Sequence, residues 1–262
     1  MAQLLLRGTP LSTTDIDAVL FDKDGTLCHS EPRLLALARA RIGHCQRLLQ
    51  ELHPQLAATV ALELAPRLEA TYGLQGSSLH PAGTTAVACR DHNLISTATA
   101  LAQLGLGWPE ALELAEAVFL HCDHSAGDGG ERGSQPTDGL RELLQRLQGA
   151  GLACAVISND DQQGIRAFLA SHNLGHRFAA LRSADHQPRK PDPGAVTALC
   201  SDLGTEPGRC ALIGDANSDL LMAERAGVAV VLGYGAGWQQ PPPLERRFRQ
   251  LQHWRDLQVR ST

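Results

Sequence analysis

Residues 17–28 read DAVLFDKDGTLC, and the fold turns on how this stretch is understood. Ala18-Val19-Leu20-Phe21 is a short, unbroken apolar run, the mark of a strand buried on both faces. With its flank it predicts a strand over 16–21. The run stops at Asp22 and Asp24, one residue apart, and Gly25 and Thr26 follow at once. In an open parallel sheet, ligands bind outside the carboxyl ends of the strands. Two acids at such an end are therefore candidates for chemistry.

The flanking sequence supports that sheet. Segments 33–52, 55–72, 94–104 and 109–121 carry leucine and alanine at three- and four-residue spacing and predict helices. The turn-rich GLQGSSLHPAGTTAVACRDHN (73–93) separates the second from the third, and HSAGDGGERGSQP (124–136) reads as a linker. After it, helices over 137–149, 161–171, 193–203 and 217–226 alternate with strands over 152–157, 178–182, 210–213 and 228–232. Such alternation implies a parallel sheet with helices on both faces. Leu244, Phe248, Leu251, Trp254 and Leu257 fall on one helical stripe, which predicts a last helix over about 244–258. The expected architecture is α/β. A Rossmann-like parallel-sheet core, residues 1–29 and 132–262, carries a helical domain, 30–131, inserted after the first strand.

Composition narrows the function. The chain has 262 residues, a net charge of −5 and a pI near 6.1, which argues against nucleic-acid partners. No apolar run approaches the ~20 residues of a membrane span, and MAQLLLRGTP has too short an apolar stretch for a signal peptide. A cytoplasmic protein is expected. Seven scattered cysteines with no CxxC pair outline neither a disulfide framework nor a zinc ribbon. His121, Cys122, Asp123, His124 and Asp128 match no tetrahedral spacing and read as a helix end.

Other predicted strand ends are marked like the first. Ser158 and Asn159 follow the 152–157 strand. Gly214, Asp215 and Asp219 follow the 210–213 strand, and Lys190 lies in a loop before Pro191. Only two of the 23 basic residues are lysine, Lys23 and Lys190. Facing carboxylates are unfavourable without a cation, and an all-oxygen set suits a hard divalent ion, Mg²⁺ above all. Asp22 and Asp215 are expected as direct ligands, Asp219 directly or through water, and Asp24 through its backbone carbonyl. A metal beside a lysine and a serine suits a phosphate. Lys190, Ser158 and the backbone N–H of Asn159 would bind its oxygens. Asp22 is then free to attack phosphorus, with Asp24 as the proton carrier and Gly25 permitting the bend that brings both acids to the site. Alternation along the strand turns Lys23 away from the acids, so it is expected to be structural or peripheral.

Taken in order, these motifs resemble the haloacid dehalogenase-like hydrolase superfamily. DKDGT (22–26) is similar to its DxDGT motif, Ser158 and Lys190-Pro191 to its second and third, and GDANSD (214–219) to its GDxxxD. LLMAERAG (220–227) continues in the same style, and the likeness covers about 16–235. The resemblance implies a Mg²⁺-dependent phosphotransferase core with the insertion as a type 1 cap. It implies hydrolysis of a small phosphorylated metabolite, with phosphoglycolate the first candidate and sugar phosphates or nucleoside monophosphates close behind. Cap loops of this kind select substrate, which makes His80, Thr84, Thr85, Arg90 and His92 candidates for holding a leaving group; an ordinary helix connection is the plain alternative. A phosphomutase on the same core is the rival reading, though Thr26 is the residue phosphatase relatives carry. A silent regulatory protein would have lost a motif acid, and none is lost. A dehalogenase would need neither Asp24 nor the metal.

Overall fold

The computed structural model describes residues 2–127 and 133–261. The strand Ala18–Phe21 is buried at every position and lies inside a six-stranded sheet. The order across the sheet is Arg249–Leu251, Val230–Tyr234, Cys210–Gly214, Ala18–Phe21, Ala153–Ile157 and Ala180–Arg182. Every neighbouring pair is parallel. The period of two in a strand explains the two cores. Val19 and Phe21 pack on one face with Leu143, Leu144, Leu147, Ile165 and Phe168, from the helices Leu140–Gly149 and Gln162–Ser171. Ala18 and Leu20 pack on the other with Val196, Leu199, Met222 and Ala223, from Pro193–Asp202 and Asn217–Arg225. A strand covered on both faces has no polar side to show, which is why its sequence reads as one apolar run.

By its contacts the chain divides into two units, Met1–Ser30 with Ser134–Thr262, and Glu31–Gly133. The boundary expected at 131/132 lies outside the described residues. Part of the expected linker 124–136 has regular structure. The helix Trp108–Gly127 runs through its start, and Gln135–Pro136 pairs antiparallel with Cys28–His29; Asp128 lies outside the described residues. The second unit has its own core, built from the helices Glu31–Leu52, Pro54–Thr59, Leu64–Tyr72, Arg90–Gln103 and Trp108–Gly127. The single helix expected over 55–72 is broken after Thr59.

The helix expected over about 244–258 is not formed. Arg249–Leu251 is a strand, Trp254–Asp256 a single 3₁₀ turn, and Leu257–Ser261 another strand. All five stripe residues are buried, but in different places. Leu244 and Phe248 pack on Leu220, whereas Leu251, Trp254 and Leu257 join the main core. Tertiary partners outweigh helical periodicity here. Arg249–Leu251 takes its ladder from Val230–Tyr234, and Leu257–Ser261 pairs over five positions with Ala2–Leu6, an N-terminal strand that its sequence did not announce. Trp254 stacks on Tyr234 at 4.1 Å, meets Phe21 edge-on at 6.0 Å, and donates its indole N–H to Thr137 Oγ1 at 2.8 Å. A large ring with one polar handle is thus fully accommodated.

Candidate active site

Parallel register places the ends of three central strands side by side. Phe21 is level with Ile213 on one side and Val156 on the other, so Asp22, Gly214-Asp215 and Ser158 emerge at one edge. The Asp22 N–H donates to Ile213 O at 2.9 Å, which fixes where its side chain starts. Asp219 sits in the first turn of Asn217–Arg225 and lies against Gly214, where any Cβ would come within 2.7 Å of its Oδ2. Gly214 is therefore a close-approach glycine.

These segments meet on Lys190. Its Nζ lies 2.7 Å from Asp22 Oδ1 and 2.7 Å from Asp219 Oδ1, and donates to Ile157 O at 3.3 Å. Asp22, Asp215 and Asp219 each place a carboxylate oxygen within 4.8 Å of the others. All three are buried, as is Lys190. Asp215 is held at both oxygens, accepting from Thr26 Oγ1 at 3.2 Å on Oδ1 and from Trp238 Nε1 at 2.6 Å on Oδ2.

Three carboxylates around one ammonium leave an excess of negative charge out of reach of water. Burial pushes the Asp22 pKa up to about 7; Lys190 opposes the rise, and Asp219 and Asp24 add to it. Burial also raises Asp215 well above the usual carboxylate range, with Asp22 and Asp219 repelling it further. For Lys190, burial works against the charge, but Asp219 and Asp22 outweigh it and raise the pKa. A buried, all-oxygen donor set short of positive charge fits a hard divalent cation.

Asp24 faces a different neighbourhood. Its Oδ1 accepts from Ser30 Oγ and lies 3.0 Å from Lys23 Nζ. Lys23 is fully buried, also pairs with Asp160 Oδ2 at 2.9 Å, and sits 5.8 Å above the Phe168 ring. The expectation that Lys23 turns away from the acids fails for Asp24. The chain leaves the strand at Asp22, so alternation no longer governs Lys23, and Gly25 adopts φ +76°. Both lysines of the chain are thus buried against the motif acids. Ser158 is buried, and its Oγ accepts from Asp160 N at 3.1 Å; Asn159 follows it, half-buried.

In the helical unit, four of the candidate leaving-group residues have hydrogen-bond partners inside that unit. Thr84 Oγ1 donates to Thr71 O at 2.6 Å, and Arg90 Nε donates to Asp123 Oδ2 at 2.6 Å. Thr85 is buried. His80 Nδ1 accepts from Ala82 N at 3.1 Å, and the His92 carbonyl accepts from Ser96 Oγ at 2.7 Å. Besides the misread Lys23, Trp238 is a site residue that sequence reasoning missed. It lies in a Gly/Pro-rich loop where periodicity carries no signal, and its only cue was a bulky ring among turn residues.

A family model, haloacid dehalogenase-like hydrolase, matches the chain over residues 16–227. The chain belongs to that family. Among its relatives, a phosphoglycolate phosphatase of Haemophilus influenzae is 32% identical over 104 residues, covering 39% of this chain and 46% of the relative. An N-acetylmuramic acid 6-phosphate phosphatase of Pseudomonas aeruginosa is 28% identical over 225 residues, covering 84% of this chain and 83% of the relative. The chain matches less than half the length of several of these curated relatives. The crystal structure of a predicted phosphoglycolate phosphatase from Haemophilus somnus shares the fold, with a TM-score of 0.65 at 21% identity over 93% of this chain and 97% of that one. No helix among the described residues is long and apolar enough to cross a membrane.

Proposed function

We propose that this chain hydrolyses the phosphomonoester of a small, cytoplasmic metabolite through an aspartyl-phosphate on Asp22. The observation that carries the reading is Lys190 bridging Asp22 and Asp219, 2.7 Å from each, inside a buried three-carboxylate cluster. Asp22, Asp215 and Asp219, with the backbone carbonyl of Asp24, would hold Mg²⁺. When bound, that ion supplies positive charge for the non-bridging phosphoryl oxygens. Lys190 adds a second positive charge, and Ser158 Oγ a hydrogen bond, to the same oxygens.

An Asp22 carboxylate oxygen attacks phosphorus, forming an O–P bond as the ester P–O bond breaks. Asp24 gives its proton to the departing oxygen and then takes one from the water that attacks phosphorus. The second step breaks the Asp22–phosphoryl bond and returns the carboxylate. Lys23 and Ser30 hold the Asp24 carboxylate in place for both transfers. The names of the relatives make phosphoglycolate and N-acetylmuramic acid 6-phosphate the first substrates to assay. Their being phosphatases favours hydrolysis over phosphomutase chemistry.

The test is hydrolysis of p-nitrophenyl phosphate and of those two esters, with Mg²⁺ and with EDTA. Chelation and Asp22→Asn should each reduce turnover to background, and Asp24→Asn should nearly do so. Normal turnover by both variants would overturn the assignment of roles.

A further inference from the structure

The loop after the Val230–Tyr234 strand reads GAGWQQ, residues 235–240. Trp238 is only 7% exposed, although Gln239 and Gln240 beside it are exposed. A tryptophan buried in a loop needs a partner for its N–H, and this one has Asp215 Oδ2 at 2.6 Å. The loop is seated tightly on the DKDGT turn. A Cβ on Gly237 would come within 1.7 Å of Gly25 O, and one on Gly25 within 2.1 Å of Trp238 Nε1. His29 Nδ1 lies 3.2 Å from Gly237 O, tying the loop to the far side of the same turn.

Asp215 is thereby gripped by two segments that come from opposite ends of the chain. Thr26 donates to one oxygen and Trp238 to the other, so the carboxylate cannot rotate without breaking a bond. Each oxygen has a second lone pair, which the indole and hydroxyl leave free. A ligand held in this way meets a cation without first being ordered, and the partners that orient metal ligands typically contribute 10–100-fold in affinity.

We propose that Trp238 is a positioning residue for Asp215, its indole N–H setting the orientation in which that carboxylate binds the divalent ion. This rests on the reading of Asp215 as a metal ligand. The test is calorimetric titration of substrate-free protein with Mg²⁺ or Mn²⁺, comparing wild type with Trp238→Phe, which keeps an aromatic ring and removes the donor. The expected result is about 10–100-fold weaker metal binding in Trp238→Phe. Unchanged affinity, with only a lower Tm in EDTA, would overturn the proposal and leave Trp238 as packing. Wild-type protein that binds neither ion would overturn the reading of Asp215 itself. A second measurement does not depend on that variant folding. With Trp108→Phe and Trp254→Phe in place, Trp238 is the sole indole, and its emission should change on adding metal. An unchanged emission at saturating metal would count against direct contact with a ligand.

Discussion

With divalent ions chelated, raising the pH should turn the buried carboxyls of Asp22 and Asp215 against the fold. Asp22 is 6% exposed; burial lifts its pKa from 3.8 to about 7, against the pull of Lys190. A carboxyl raised in this way stays protonated in the folded state while the unfolded chain has already ionised. The folded state then binds more protons, and stability falls as pH rises between the two values. Below the unfolded pKa there is no penalty; above about pH 7 it is complete. At 1.36 kcal/mol per pH unit, the full window corresponds to about 4 kcal/mol, of which about 3 kcal/mol falls between pH 5 and 8. In a chain of this size that lowers Tm by about 10 °C. Asp215 is shifted in the same direction, by burial first and then by repulsion from Asp22 and Asp219. His44 is half-buried, its pKa lowered by burial and then by His121; it has the opposite sign and offsets part of this fall. The assay is thermal unfolding from pH 5 to 8 in EDTA and in Mg²⁺, for wild type and Asp215→Asn. The wild-type Tm should fall with pH in EDTA, much less in Mg²⁺, and less steeply in Asp215→Asn. A Tm that is flat or rises over this range in EDTA, with the same slope in both proteins, would refute the charge excess.

Two further substitutions probe the turn itself. Lys23→Met leaves Asp24 and Asp160 without their shared cation; breaking a buried pair costs about 3–5 kcal/mol, and the partial exposure of both acids places this one at the low end. Urea unfolding should register the loss, and adding Asp160→Asn should restore part of it; wild-type stability in Lys23→Met would show the pairs to be inert. Gly25→Ala meets both a φ of +76° and a Cβ position 2.1 Å from Trp238 Nε1 and 2.4 Å from Asp215 Oδ2. Gly8→Ala is the control, at φ +84° with nothing within 4 Å, and should lose only the roughly 1–2 kcal/mol of a left-handed residue. Gly25→Ala should lose more, along with metal binding, and equal Tm losses in the two variants would refute the close packing.

The parallel sheet was legible because buried strands and amphipathic helices leave different periods in the sequence. Ala18–Phe21, Ala153–Ile157 and Cys210–Gly214 lie within two residues of the expected strands, since each is apolar throughout and ends at a polar turn. The C-terminal segment was not legible. Leucines and aromatics three and four apart satisfy a helical stripe, yet each is buried by a partner distant in sequence, Leu251 opposite Tyr234 and Leu257 opposite Leu6. A local pattern carries no record of a strand waiting elsewhere in the chain. The N-terminal strand Ala2–Leu6 escaped for the same reason, because its reason to exist is Leu257–Ser261.

The site divides along the same line. Asp22, Asp215 and Asp219 could be read from sequence because each stands at a strand end or helix start, and Lys190 because it is one of only two lysines; the sheet converts the strand-end positions into proximity. Lys23 and Trp238 could not, because their roles depend on where two loops lie once the sheet has formed. Lys23 occupies the position between the two acids, where an apolar residue would remove the cation that Asp160 and Asp24 share. Trp238 reaches Asp215 only because Gly25 and Gly237 let two backbones approach closely enough that a methyl group would not fit between them. On the proposed reading the acids supply the chemistry, and the orientation of Asp215 depends on these glycines and on an indole more than 200 residues from the first motif. Exchanging the motif acids therefore tests what the site does, whereas exchanging Gly25 or Trp238 tests whether it is held ready to do it.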